Sequence, residues 1–372
     1  MPRPSPIPLN ILTGFLGAGK TTLLNSLVRQ GAFADALVLI NEFGEVALDH
    51  LLAEAVEGDI VTLASGCMCC SLRGELVGAL EDLLRRRDNG RIRPFDRVVI
   101  ETTGVADPGP VLHTLMQHPY LPLRFVLDSV VTVVDAVNGN ATLDSYEEAR
   151  RQVAVADRLL LTKADLAPSR AVSALAERLR ELNPTAPLLS SADGPPAAAS
   201  LIDAGLPARP GSSPDIRAWL RAEALVPEGD SRQAHDHADV HQHRHAHERI
   251  GAFYLKSENP LRAEALDRFL SFLHSLEGKK LLRLKGIVAL AERPDQPLIL
   301  HGAQHLVHEP VKLDKWPDAD RSTRIVLIGE DLPRMEVESV WAAISGAPAP
   351  DRADAQALFD NPLSPRRGGL LG

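Results

Sequence analysis

Over roughly the first two hundred residues, short β-branched runs alternate with stretches in which apolar side chains return every three or four positions. This is the rhythm of strand–helix–strand units in a mostly parallel sheet covered on both faces. It predicts strands at 8–12, 37–40, 97–100, 130–134 and 158–161. Leu72, Leu76, Leu80, Leu83 and Leu84 recur at helical spacing, with Ser71 as the N-cap. From 206 to 249, Pro, Gly, Ser, Asp and His replace any apolar period, as in a surface linker. A smaller α+β domain is predicted over 250–346. It has a strand from Ala252, a helix opened by Asn259 and Pro260 and ended by Gly278, strands at 281–290, 298–300 and 324–328, and a last helix at 337–344. Residues 347–372 read as a loose tail. The fold class is therefore α/β for residues 1–205, joined to an α+β unit.

Composition narrows the function. A chain of 372 residues with 45% apolar and 24% charged content can bury more than one core. No uncharged apolar run approaches the roughly 20 residues that cross a bilayer, so the chain reads as soluble and cytoplasmic with no membrane partner. A net charge of −9 offers no field for phosphate backbones, which argues against nucleic acid as a partner. All three cysteines, Cys67, Cys69 and Cys70, fall together, so they cannot staple distant segments and call for metal or redox chemistry.

Residues 14–21 read GFLGAGKT, which is GxxxxGK[ST] between a predicted strand and a helix bearing Leu23, Leu24 and Leu27. Gly14, Gly17, Ala18 and Gly19 let backbone amides converge on phosphate at a positive helix end. Lys20 neutralises the β and γ oxygens, Thr21 offers its hydroxyl to Mg²⁺, and Thr22 extends the nucleotide-contacting set. The strand at 97–100 delivers Glu101, then Thr102, Thr103 and Gly104, in the manner of a Walker B carboxylate and switch that reaches Mg²⁺. A third strand ends in Thr162, Lys163, Ala164 and Asp165. TKAD stands there where a guanine-reading loop has NKxD. Asp165 can accept from guanine N1 and N2, a donor pair adenine lacks, which predicts GTP and GDP over adenine nucleotides. Lys20, Thr21 and Glu101 are the expected catalytic residues, and no residue stands out as the positioner of the attacking water.

GFLGAGKTTLLN, NEFGEV at 41–46, SGCMCC at 65–70 and ETTGVADPGP at 101–110 together resemble CobW-type P-loop GTPases, as do FYLKSENP and LRLKGIVAL further on. That family is similar to the GTPases that insert nickel into urease and hydrogenase. The resemblance implies a P-loop GTPase domain, a metallochaperone or metal-insertion role and a client metalloprotein. It also implies CxCC as the metal-binding signature. A homodimer is left open.

Thiolates suit Zn²⁺ first, with Co²⁺ and Ni²⁺ as alternatives. On extended backbone Cys67 and Cys69 share a side, whereas a turn lets Cys67 and Cys70 chelate; both arrangements remain open. Glu42, Glu45 and His118 are candidates for further ligand positions, with loop-bracing as the plainer reading. His235, His237, His241, His243, His245 and His247 form a low-specificity collecting arm, or else a polar spacer. His301, His305 and His308 read as ordinary surface residues. Two other functions compete with a GTP-driven metallochaperone: a metal-storage protein with a structural nucleotide, and a maturation GTPase for a cobalt or cobalamin system.

Overall fold

The computed structural model describes residues 6–31, 35–43, 60–65, 71–192, 194–202, 249–276, 281–303, 306–307 and 310–346. Seven strands form the first sheet: β1 (Ile7–Gly14), β2 (Ala36–Phe43), β3 (Ile60–Ser65), β4 (Arg97–Glu101), β5 (Phe125–Asp135), β6 (Arg158–Thr162) and β7 (Leu188–Ser190). They run parallel in the order β3-β2-β4-β1-β5-β6-β7. Alternation along the strands feeds two cores, as a doubly covered sheet requires. Ile11, Leu39 and Ile100 pack with Leu80 and Leu84 of α2 (Ser71–Asp88) on one face. Leu12, Val38 and Val99 pack with Leu23, Leu24 and Leu27 of α1 (Lys20–Arg29) on the other. The remaining helices of this unit are α3 (Gly109–Gln117), α4 (Leu121–Arg124), α5 (Gly139–Ser145), α6 (Glu147–Val155), α7 (Ser169–Leu182) and α8 (Ala198–Leu201).

The second sheet is antiparallel, built from β8 (Ile250–Ser257), β9 (Leu281–Leu290), β10 (Arg293–Ala303), β11 (Leu306–Val307) and β13 (Thr323–Glu330), in the order β11-β10-β9-β13-β8, with β12 (Val311–Lys312) added on β10. Its outer face carries α9 (Ala263–Ser275) and α10 (Arg334–Ser345), where Phe269 and Trp341 meet edge-on at 5.1 Å between ring centroids. Its inner face lies on the first unit: α6 packs on β8, β9 and β13, and α7 on β8. Ile287, Ala289, Ile299, Ala303, Val326 and Ile328 therefore join the core of the first sheet.

Three charged side chains are buried together in that junction. Asp157, between α6 and β6, pairs with Arg283 and lies 3.1 Å from the ammonium of Lys285. Both cations sit on β9 two residues apart and so point the same way, into the junction. Burial lowers Lys285 to about 8. Burial also works against the charge of Asp157, but the two cations hold its carboxyl below the usual range.

Three expectations need correction. β3 and β7 were not foreseen, because IVTLAS and LLS carry too short a pattern to separate from a loop. The helix expected from Asn259 and Pro260 begins at Ala263 instead. Leu261 is held extended by bonds with Ala289 and Ala291 at 2.8 Å each, and the Ala263 amide donates to Glu292 Oε1 at 3.1 Å, so a distant carboxylate supplies the cap. His301 is buried, opposite Lys285 on the inner face, rather than on the surface. His305 and His308 lie outside the described residues, as do Gly278, the segment 203–248 and the tail. Among the described residues no helix is long and apolar enough to cross a membrane.

Candidate functional site

Strands β1, β4, β5 and β6 end side by side, and the loops leaving them converge outside the carboxyl edge of the sheet, where α/β folds place ligands. Gly14 closes β1 at φ 141°, with no room for a side chain: a Cβ there would lie 2.3 Å from the Val133 carbonyl oxygen. Gly19 adopts a left-handed φ of 95° and hands the chain directly into α1 at Lys20. The Ala18 amide donates to Phe15 O at 3.2 Å, which tightens the loop.

Lys20 is buried, and its ammonium donates to the carbonyls of Gly14 at 2.9 Å and Phe15 at 3.3 Å. Burial lowers its pKa, against the pull of the Glu101 charge, so the lysine is held in place by the loop it serves. Thr21 donates to Glu101 Oε1 at 2.9 Å. The register of β1 and β4 accounts for this, since Leu12 stands beside Glu101 and the Thr102 amide continues the ladder onto Leu12 O at 2.9 Å. Thr102 also donates through its hydroxyl to Thr13 Oγ1 at 2.8 Å. The Thr21 hydroxyl and the Glu101 carboxylate are both hard oxygen donors, the set that suits Mg²⁺.

The TKAD loop closes the opposite side. Thr162 donates to Ala18 O at 2.7 Å, and Lys163, in a left-handed conformation at φ 56°, reaches Gly17 O and Asp135 Oδ2 at 2.8 Å each. Asp135 also accepts from the Val137 amide at 2.7 Å. Burial alone would raise its carboxyl, but Lys163 and the amide keep it below the usual range. Asp165 is exposed beyond this anchor. Thr22 lies in the first turn of α1.

Sequence reasoning missed two members of the constellation. Asp135 ends β5 as Glu101 ends β4, a signal that was available. Gln152, on α6, is buried and its amide donates to Gly104 O at 3.2 Å and Ala106 O at 2.9 Å, spanning the loop that follows Glu101. Nothing in the sequence marked it. A small cleft open to solvent lies between the phosphate loop and α5 and α6, with Phe15, Asp135 and Gln152 in its lining, and Phe15 meets Tyr146 at 4.4 Å between ring centroids.

The predicted cargo ligands are less fully placed. Cys67, Cys69, Cys70, Glu45 and the histidines at 235, 237, 241, 243, 245 and 247 lie outside the described residues. Glu42 stands beside Ala64 in the β2–β3 register. The Nδ1 of His118 accepts from the amides of Tyr120 and Leu121 at 3.3 Å each, at the start of α4, and its Nε2 lies 3.7 Å from Glu81 Oε1. Among the described residues no three His, Cys, Asp or Glu side chains gather as a metal cluster.

A glycine loop that turns a parallel strand into a helix, with a carboxylate from the adjacent strand on its threonine, defines a P-loop nucleotide-binding protein. Residues 8–190 match the CobW/HypB/UreG nucleotide-binding domain and residues 250–345 the cobalamin synthesis protein cobW C-terminal domain, and the chain belongs to the CobW family. It is 35% identical over 341 residues to the zinc chaperone YjiA of Escherichia coli strain K12, covering 91% of this chain and 99% of that one. It is 28% identical to the zinc chaperone CobW of Pseudomonas aeruginosa over 88% of each chain. The crystal structure of Zn(II)-bound YjiA GTPase from E. coli superposes with a TM-score of 0.67 at 29% identity, covering 91% of this chain and 99% of that one.

Proposed function

We propose that this chain is a cytoplasmic GTP-hydrolysing metallochaperone that carries zinc at its CxCC segment and passes it to client metalloproteins under nucleotide control. The observation that carries the reading is the Thr21–Glu101 contact beside the anchored Lys20, a phosphate-and-magnesium constellation in a chain that matches a zinc chaperone nearly end to end.

The residues divide the work. Backbone amides from Gly17 to Thr21 cradle the β-phosphate, and Lys20 exchanges loop carbonyls for β and γ oxygens. Thr21 and Glu101 hold Mg²⁺, which when bound spreads the charge developing on the phosphoryl oxygens. Thr162 and Lys163 brace the loop from the side, while Asp165 accepts from the guanine edge and so selects against adenine. Positioning and charge neutralisation suffice for slow turnover, and an arriving client would accelerate it.

For the cargo, Cys67, Cys69 and Cys70 supply thiolates, and Glu42, Glu45 and His118 stand as candidates for the remaining positions. Residues 41–43 end β2, and Ile40 pairs with Glu101 at the end of β4, so the 41–46 and 101–110 segments follow two adjacent strands and are the route by which nucleotide would act on the cargo site. The six-histidine arm serves as a low-specificity collector.

The test is hydrolysis by the purified full chain with Mg²⁺. GTP should be cleaved well ahead of ATP, and Lys20→Ala should abolish cleavage. A chain that cleaves both equally, or neither, would refute the assignment.

A further inference from the structure

The loop between Glu101 and α3 belongs to neither a helix nor a strand; within it the Ala106 amide donates to Thr103 O at 3.0 Å, and the carbonyls of Gly104 and Ala106 take side-chain donors. Gln152 gives both hydrogens of its amide to these two, Gly104 O and Ala106 O. The helix that carries Gln152 is itself pinned to β5, because Thr132 donates to the Gln152 carbonyl at 2.7 Å. One residue earlier, the guanidinium of Arg151, paired with Glu147 on its own helix, reaches out to two regions: Nη1 lies 3.4 Å from Asp107 Oδ2 in the loop, and Nη2 lies 2.7 Å from Glu330 Oε2 at the end of β13 in the second sheet. Asp107 turns its other oxygen to the Gly109 amide at 2.8 Å and so begins α3. Arg249, at the start of β8, holds Glu330 Oε1 at 3.2 Å.

The other end of α6 is tied to the same sheet, since Asp157, two residues beyond it, carries Arg283 and Lys285. Moving the second sheet without moving α6 would break buried ion contacts at one end and the Arg151–Glu330 contact at the other. Moving α6 without disturbing the loop would strand two carbonyls. The loop also cannot shift unnoticed by the phosphate site: a Cβ on Gly104 would fall 2.5 Å from the Leu16 amide nitrogen, so the two backbones already touch.

We infer that Gln152 and Arg151 are positioning residues for the 102–108 loop, and that Glu330 of the C-terminal domain sets how firmly they hold it. The second sheet thereby governs GTP turnover at a site it does not touch. A client docked on the C-terminal domain would act through this bridge, and the coupling runs both ways. The inference rests on the proposed reading of that loop as part of the hydrolytic site, but its physical core, a mechanical link between Glu330 and Gly104, does not need nucleotide to be tested.

The experiment is hydrogen exchange on the full nucleotide-free chain, wild type against Glu330→Gln, which keeps the side-chain volume and removes the charge. Exchange at 103–107 should rise about threefold or more while 158–162 stays unchanged. Unchanged exchange at 103–107, or an equal rise across both segments, would overturn the link. If Glu330→Gln does not fold, Asp107→Asn loosens the bridge from its partly exposed end and should raise exchange at 249–251 and 329–330; no change there would equally overturn it. In a second arm, Gln152→Met should lower kcat for GTP about tenfold with KM within about twofold, the signature of a group that orders the loop rather than binds nucleotide. A wild type that hydrolyses no GTP would defeat the proposed function, and the exchange data would still decide this inference.

Discussion

The hydroxyl of Thr21 donates to Glu101 Oε1 across 2.9 Å, which ties the first turn of α1 to the end of β4. Two oxygen donors stand at that spacing beside an ammonium fixed on the carbonyls of Gly14 and Phe15. Preorganisation of this kind carries most of the burden in phosphoryl transfer. Thr21→Ala should reduce Mg²⁺-dependent GTP hydrolysis by about a hundredfold while GDP binding without Mg²⁺ changes little. Single-turnover hydrolysis and fluorescent GDP titration measure the two quantities; equal loss in both would deny Thr21 its role in holding the ion.

The proposed role of Asp165 as the reader of the guanine edge makes a prediction about base selection. Asp165→Asn replaces the acceptor pair by a donor and an acceptor, leaving one guanine donor facing an N–H. GTP affinity should fall about tenfold or more, and xanthosine triphosphate, which carries a carbonyl at that edge, should gain. Competition binding with both nucleotides checks this. An unchanged ratio would place the base elsewhere.

The ion cluster at the domain junction makes a stability prediction with a definite pH sign. Asp157→Asn leaves two buried cations without their counterion and should cost about 3–5 kcal/mol. Lys285→Met leaves Arg283 and Asp157 as a neutral pair and should fall within about 1 kcal/mol of wild type at pH 7, or be more stable. Lys285 holds its proton up to about 8 in the folded chain against 10.5 unfolded. Between those values the unfolded chain binds more protons, so wild type should gain stability relative to Lys285→Met as pH rises. Denaturant midpoints from pH 7 to 10 provide the comparison. A relative loss over that range would contradict the assignment.

Gly14 has no space for a methyl group, given a Cβ position 2.3 Å from Val133 O. Gly14→Ala should lower stability by at least about 2 kcal/mol and weaken nucleotide binding with it, because the same displacement moves the start of the loop. Thermal unfolding and GDP titration on one preparation would show whether the two losses travel together.

The phosphate site was legible in the sequence because its parts are contiguous: residues 14–21 carry their own turn, cation and hydroxyl. Glu101 was legible because a strand end is itself a location in a parallel sheet. Asp135 obeys the same rule and was passed over only because no motif surrounds it. The junction was not legible. Asp157 and Arg283 are 126 positions apart, and an apolar strand interrupted by Arg283 and Lys285 says that two cations share a face but not what they meet. Gln152 gave no signal for the same reason, since its partners are backbone carbonyls, which no residue identity announces. His301 is buried beside Lys285 on the inner face, a placement set by the packing of the second sheet on the first unit and not by any motif around the histidine.

The central claim is that nucleotide and zinc compete or cooperate through shared loops. Zinc affinity of the full chain, measured by chelator competition with a non-hydrolysable GTP analogue and again with GDP, addresses it directly. The account predicts that the two affinities differ about tenfold or more, a coupling of about 1.4 kcal/mol, and that Cys69→Ser abolishes the difference. Identical zinc affinity in both nucleotide states would contradict it.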